Sequence, residues 1–67
     1  MKISEFVTSE VDYLLTECNF TEDEQALFLM RTKDIPLEEC AERMNVSVST
    51  IKRANKRIKT KIDKVIE

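Results

Sequence analysis

The sequence predicts an all-α fold, a compact domain of four helices, and three observations carry that prediction. Apolar residues recur at intervals of three and four through most of the 67-residue chain, the period of one helix face. There is no glycine, and the single proline stands at position 36, where it can open a helix without breaking one. Asn19, Asp34 and Asn45 stand at the breaks between periodic segments, and short polar side chains of this kind tolerate the left-handed conformation in which helices stop.

Taken in order, Ile3, Phe6, Val7, Val11, Leu14, Leu15 and Cys18 form one stripe with Glu5 and Asp12 opposite. This predicts a first amphipathic helix over 3–18, ended by Asn19. Thr21-Glu22-Asp23-Glu24 has the form of a capping box, in which the Thr21 hydroxyl accepts from the Glu24 N–H and the Glu24 carboxylate reaches back. A second helix over 21–32 follows, acidic at its start and carrying Arg31 and Lys33 at its end, as the helix dipole favours. Ala26, Leu27 and Met30 are expected to face inward, with one of Phe28 and Leu29 meeting the first helix.

Pro36 presets φ for a third helix over 36–44, with Leu37, Cys40, Ala41 and Met44 at core spacing. Asn45-Val46-Ser47 then makes a three-residue connection in which Asn45 takes the left-handed cap and Ser47 caps the next helix. In that fourth helix, over 48–65, Ala54, Asn55, Ile58, Ile62 and Val65 lie within about 60° of Ile51, and Ser49, Lys52, Arg53, Lys56 and Thr60 fall on the opposite arc. The third and fourth segments therefore read as helix, tight turn, helix. All four belong to one unit, residues 1–67.

Composition excludes most enzyme readings. Phosphate-cradling loops need glycine, and Ser-His-Asp, Cys-His and mixed Cys/His zinc sites need histidine; the chain has neither residue. No catalytic residue, metal ligand or cofactor is assigned, and the protein is not expected to be an enzyme. Cys18 and Cys40 are expected to be buried, reduced thiols. No apolar run approaches the roughly 18 residues of a membrane span, and the N-terminus turns polar too soon for a secretory signal. A soluble, cytoplasmic protein without membrane contact is the expectation.

Net charge is −2, but it is unevenly placed. Residues 1–45 hold four basic and eleven acidic residues, a net −7, whereas residues 46–67 hold seven basic and two acidic ones, a net +5. A basic surface of this kind attracts phosphates while the acidic remainder limits indiscriminate binding.

One run combines these features: Phe20-Thr21, Glu24, Leu27, Met30, Cys40-Ala41-Glu42-Arg43-Met44-Asn45-Val46-Ser47, Thr50-Ile51-Lys52, Arg57-Ile58 and Lys61-Ile62. It resembles, without a gap, the helix-turn-helix of bacterial sigma factor region 4 and its LuxR-type relatives. Those families read roughly Leu-Thr-x-x-Glu, then Glu-Ile-Ala-x-x-Leu-Gly-Ile-Ser, then Thr-Val-Lys and a basic tail. Departures are Asn45 at the usual glycine, Pro36 at the usual serine, Cys40 at the usual isoleucine, and Val48-Ser49 where Glu-Lys is common. Ala41 is small enough for two helices to cross closely, with Met44, Val46 and Ile51 expected to fill the angle between them.

The resemblance implies double-stranded DNA as partner, with the fourth helix in the major groove. By position, Val48, Ser49, Lys52, Arg53 and Lys56 are the base-contact candidates, Val48 through a thymine methyl. Ser47, Thr50, Arg57 and Lys59 are the phosphate candidates. LuxR-type domains pair through their C-terminal helix, so Ile62, Val65 and Ile66 form a candidate homodimer surface. The expected function is a small transcriptional regulator of bacterial, phage or prophage type, acting in the bacterial or host cytoplasm, and a repressor rather than an activator. A promoter-melting region and a sensor domain are not expected in these 67 residues, so control is expected to come through abundance, a partner or the target site. The alternative is an interaction module that binds RNA polymerase as a sigma-like accessory factor or decoy, using exposed Glu5, Asp12, Glu38, Glu39 and Glu42.

Overall fold

A computed structural model describes residues 2–66, and every ordered element in it is helical. A short 3-10 turn, Ile3–Glu5, precedes α1 (Thr8–Glu17), α2 (Glu22–Thr32), α3 (Leu37–Met44) and α4 (Val48–Ile66). The all-α expectation and the four helices agree with this architecture.

The first predicted helix, 3–18, is two pieces. Phe6 (ψ 136°) and Val7 (φ −81°, ψ 166°) are extended, so the helical path breaks between the 3-10 turn and α1. No breaker residue marks the spot; tertiary packing decides it. The kink lets the 3-10 turn pack on α2 and buries Ile3, while Val7 leaves the apolar stripe for solvent. The Glu10 carboxylate accepts the Val7 N–H at 3.0 Å, satisfying one of the donors left open where α1 begins.

α2 starts as its sequence dictates. Thr21 Oγ1 accepts the Glu24 N–H at 3.2 Å and Glu24 Oε1 accepts the Thr21 N–H at 3.1 Å. Leu27 and Phe28 are fully buried, and Phe28 lies 5.0 Å from Phe20, ring to ring, in a tilted pair. Ala26 is exposed, contrary to expectation. α2 packs against both the 3-10 turn and α4, which centres its inward face on Leu27 and Phe28 and turns Ala26 out.

The three polar breaks adopt the left-handed conformation, with φ of 52° at Asn19, 61° at Asp34 and 56° at Asn45. Pro36 sits just outside α3 as its N-cap, with ψ 152°. At the turn, Val46 N–H reaches the Ala41 carbonyl at 3.0 Å and Asn45 N–H the Glu42 carbonyl at 3.2 Å. These bonds satisfy carbonyls that the end of α3 would leave orphaned. Val46 itself is 41% exposed, so the angle is closed by the backbone and by Met44 and Ile51, not by the Val46 side chain.

α4 is the central element. It packs on α2 and α3 and more lightly on α1, burying Ile51, Ala54, Asn55, Ile58 and Ile62. The core joins these to Ile3, Leu14, Cys18, Leu27, Phe28, Cys40 and Ala41. Ile62 has no exposed surface, which removes it from the candidate dimer patch. A hydrophobic side chain in that core position contributes about 1.5–3 kcal/mol by burial alone. Of the predicted patch, only Ile66 is exposed, at 55%, and Val65 is half-buried against the core.

Candidate nucleic-acid interface

The site grows from the turn between α3 and α4. Ser47 Oγ accepts the Thr50 N–H at 3.2 Å and lies 2.9 Å from Thr50 Oγ1, fixing the start of α4. Both residues are exposed. Hydroxyls and open N–H groups at the positive end of a helix dipole suit a phosphate oxygen.

From that start, α4 turns one arc to the core and the other to solvent. Ser49, Lys52, Arg53 and Lys56 are all exposed, and Val48 stands at the edge with 36% exposure. Among the described residues, none of Lys52, Arg53 and Lys56 pairs with a carboxylate. Their charge is therefore not cancelled locally. The sequence-predicted base candidates thus share one exposed face, and Lys59, a phosphate candidate, is half-buried at its side.

Arg57 behaves differently. Its Nε donates to Glu24 Oε2 at 3.2 Å, while 59% of its side chain stays exposed. Lys61 donates to Glu24 Oε1 at 2.5 Å and lies 3.5 Å from the Asn19 carbonyl. Glu24 is 3% exposed. Burial, the largest single influence, opposes its ionisation, but the bonds from Lys61, the Thr21 N–H and Arg57 outweigh it and lower its pKa to about 2. One buried carboxylate therefore ties the start of α2 and the chain before it to the middle of α4.

Lys61 was not among the predicted site residues. A signal for it existed: Arg57 and Lys61 are four apart on the flank of α4 beside the core arc, where cations need a partner. Arg53, Lys56, Arg57, Thr60, Lys61 and Lys64 together line a shallow open groove along α4.

Cys18 and Cys40 are free and buried, and burial pushes both thiols up from the ordinary cysteine range. That keeps them in the unreactive thiol form. Among the described residues, no group of three or more His, Cys, Asp or Glu is placed to hold a metal ion, and no helix is long and apolar enough to cross a membrane.

A short helix, a left-handed turn and a longer helix with a basic outer face define a helix-turn-helix domain of the DNA-binding kind. The chain belongs to the sigma-70 region 4 family, whose model matches residues 21–62. This is a family of helix-turn-helix domains that bind DNA and RNA polymerase in transcription, not a family of enzymes. Searches among characterised proteins and among solved structures each matched nothing. The matched stretch begins at the capping residue Thr21 and ends at the buried Ile62, so the 3-10 turn and α1 are additional to it.

Proposed function

We propose that the protein is a sequence-specific DNA-binding regulator of transcription that reads the major groove with the first turns of α4. The observation that carries this reading is the exposed set Lys52, Arg53 and Lys56, unpaired among the described residues, three cations on one face directly after a phosphate-suited helix start. Ser49 and Val48 complete the base-facing set, and Ser47, Thr50, Arg57 and Lys59 flank it as phosphate contacts. Bound across a promoter, such a domain represses by occlusion, which requires only binding. Pairing of two copies through Val65 and Ile66 would match a two-fold operator.

A second reading has its own observation. Glu5, Asp12, Glu38 and Glu42 are exposed on the acidic half, and Glu39 is held by Arg43 at 2.7 Å. That surface fits an interaction module acting on RNA polymerase as an accessory factor or decoy.

Selection from a promoter-fragment library by gel shift at two salt concentrations separates the two. A DNA-reading regulator enriches a defined sequence and loses affinity steeply with salt. Enrichment of no sequence, together with co-purification with RNA polymerase, contradicts the first reading and favours the second.

A further inference from the structure

We infer that Glu24 is a positioning residue for DNA binding: from within the core it holds the Arg57 guanidinium by its inner edge, so that the outer edge is presented to a phosphate. The inference rests on the DNA-binding reading above and adds to it a residue that itself never touches DNA. Glu24 is almost fully buried, yet both carboxylate oxygens are occupied from α4, Oε2 by Arg57 Nε and Oε1 by Lys61 Nζ. A guanidinium has five donors in a planar fork, and the bond to Glu24 uses only the Nε one. The Arg57 side chain keeps 59% of its surface exposed and lines the basic groove that continues from Arg53 and Lys56.

The arrangement divides two cations of similar charge into different tasks. Lys61 is a point charge directed at Glu24 and the Asn19 carbonyl, and its side chain is one-third exposed. Arg57 is a fork, able to keep one edge on a buried carboxylate and offer the other outward. Fixing the fork in advance removes rotamer freedom that would otherwise be lost on binding. The same Oε1 accepts the Thr21 N–H, so the anchor is itself held by the cap of α2.

This makes an opposite prediction to simple electrostatics. Removing a carboxylate beneath a basic groove raises local positive charge and should tighten binding to DNA if charge alone matters. If Glu24 positions Arg57, Glu24→Gln binds the selected DNA about tenfold more weakly, the equivalent of one charge-assisted hydrogen bond. Glu24→Asp, which keeps the charge and withdraws the carboxylate by one methylene, shows the same loss at unchanged net charge. Helix content by circular dichroism confirms that each variant is folded at the assay temperature, and Glu24→Asp carries the test should Glu24→Gln not fold.

A double-mutant cycle adds a readout that a merely structural role would not move. Arg57→Lys weakens DNA binding in the wild-type background and has little further effect beside Glu24→Gln or Glu24→Asp. Wild-type affinity or tighter in a folded Glu24 variant, or an Arg57→Lys loss that is additive with it, overturns the inference. Failure of the wild-type chain to bind any DNA would instead remove the functional reading on which it rests.

Discussion

The two halves of α4 carry the same residue types on the same continuous helix, and the structure gives them different surroundings. In the first half, Lys52, Arg53 and Lys56 face solvent, and among the described residues no carboxylate meets them. In the second, Arg57 and Lys61 turn back onto the buried Glu24. Basic residues on one helix are therefore not one patch. The first set is free to meet an anion, whereas in the second Lys61 fastens the helix to α2 and Arg57 does so by one edge, leaving its other edge outward.

Changes in the anchored half should be the most damaging. Ile62→Ala is expected to lower stability by about 2–5 kcal/mol, as deletion of a fully buried branched side chain does. The loss, measured by denaturant titration, should not depend on protein concentration. A loss that shrinks as protein concentration is raised would instead place Ile62 in a dimer surface, whereas pairing through Val65 and Ile66 alone would move the midpoints of wild type and variant together.

Glu24→Gln comes next, at about 1–3 kcal/mol, because it replaces charge-assisted bonds at a buried site. Its pH dependence follows from the sign of the shift. With the folded-state pKa lowered to about 2, the unfolded chain takes up the proton first as pH falls. The stabilisation from Glu24 is thus complete above about pH 4.5 and is lost progressively toward pH 2. Wild type and Glu24→Gln should converge in stability across that window. A constant gap down to pH 2 would mean that the ion pairs contribute nothing.

The turn that aims the first half is the next target. Asn45 has φ 56° and ψ 46°, where a β-branched residue is disfavoured, so Asn45→Val should cost about 1 kcal/mol or more and Asn45→Gly should be neutral or stabilising. Smallest of all in stability are Lys52→Gln and Lys56→Gln, expected within about 0.5 kcal/mol of wild type by thermal melting. Their effect should appear in DNA binding alone.

The same contrast explains what was legible in the sequence. Features governed by neighbours within four residues were readable: the Thr21–Glu24 capping box, the Ser47 cap of α4, and the left-handed stops at Asn19, Asp34 and Asn45 all stand where local chemistry puts them. Features governed by distant packing were not. The break at Phe6 and Val7 follows from docking of the 3-10 turn on α2, and no residue there announces it. Ala26 has the right apolar character but lies on the outer side of α2, and Val46 is exposed in the turn between α3 and α4. The pairing of Glu24 with Arg57 and Lys61 was hidden because the capping box already accounted for that carboxylate locally, while its other partners lie 33 and 37 positions further on. In the candidate site, the exposed face of Ser49, Lys52, Arg53 and Lys56 follows directly from the helical period. The division of labour along α4 required the tertiary fold.

The central claim is that the cations Lys52 and Lys56, unpaired among the described residues, contact DNA, whereas Lys61 anchors α4 to Glu24. The most direct test is the slope of log affinity against log salt for the selected DNA, compared among wild type, Lys52→Gln, Lys56→Gln and Lys61→Gln. Each cation that neutralises a phosphate adds about 0.9 to that slope. Lys52 or Lys56 bound to a base edge instead should lower affinity for the selected sequence more than for random DNA. Accordingly, Lys52→Gln and Lys56→Gln should either flatten the slope by about one unit or relax sequence preference, and Lys61→Gln should do neither. A Lys61→Gln slope flattened by a full unit, with Lys52→Gln and Lys56→Gln indistinguishable from wild type, would contradict the account.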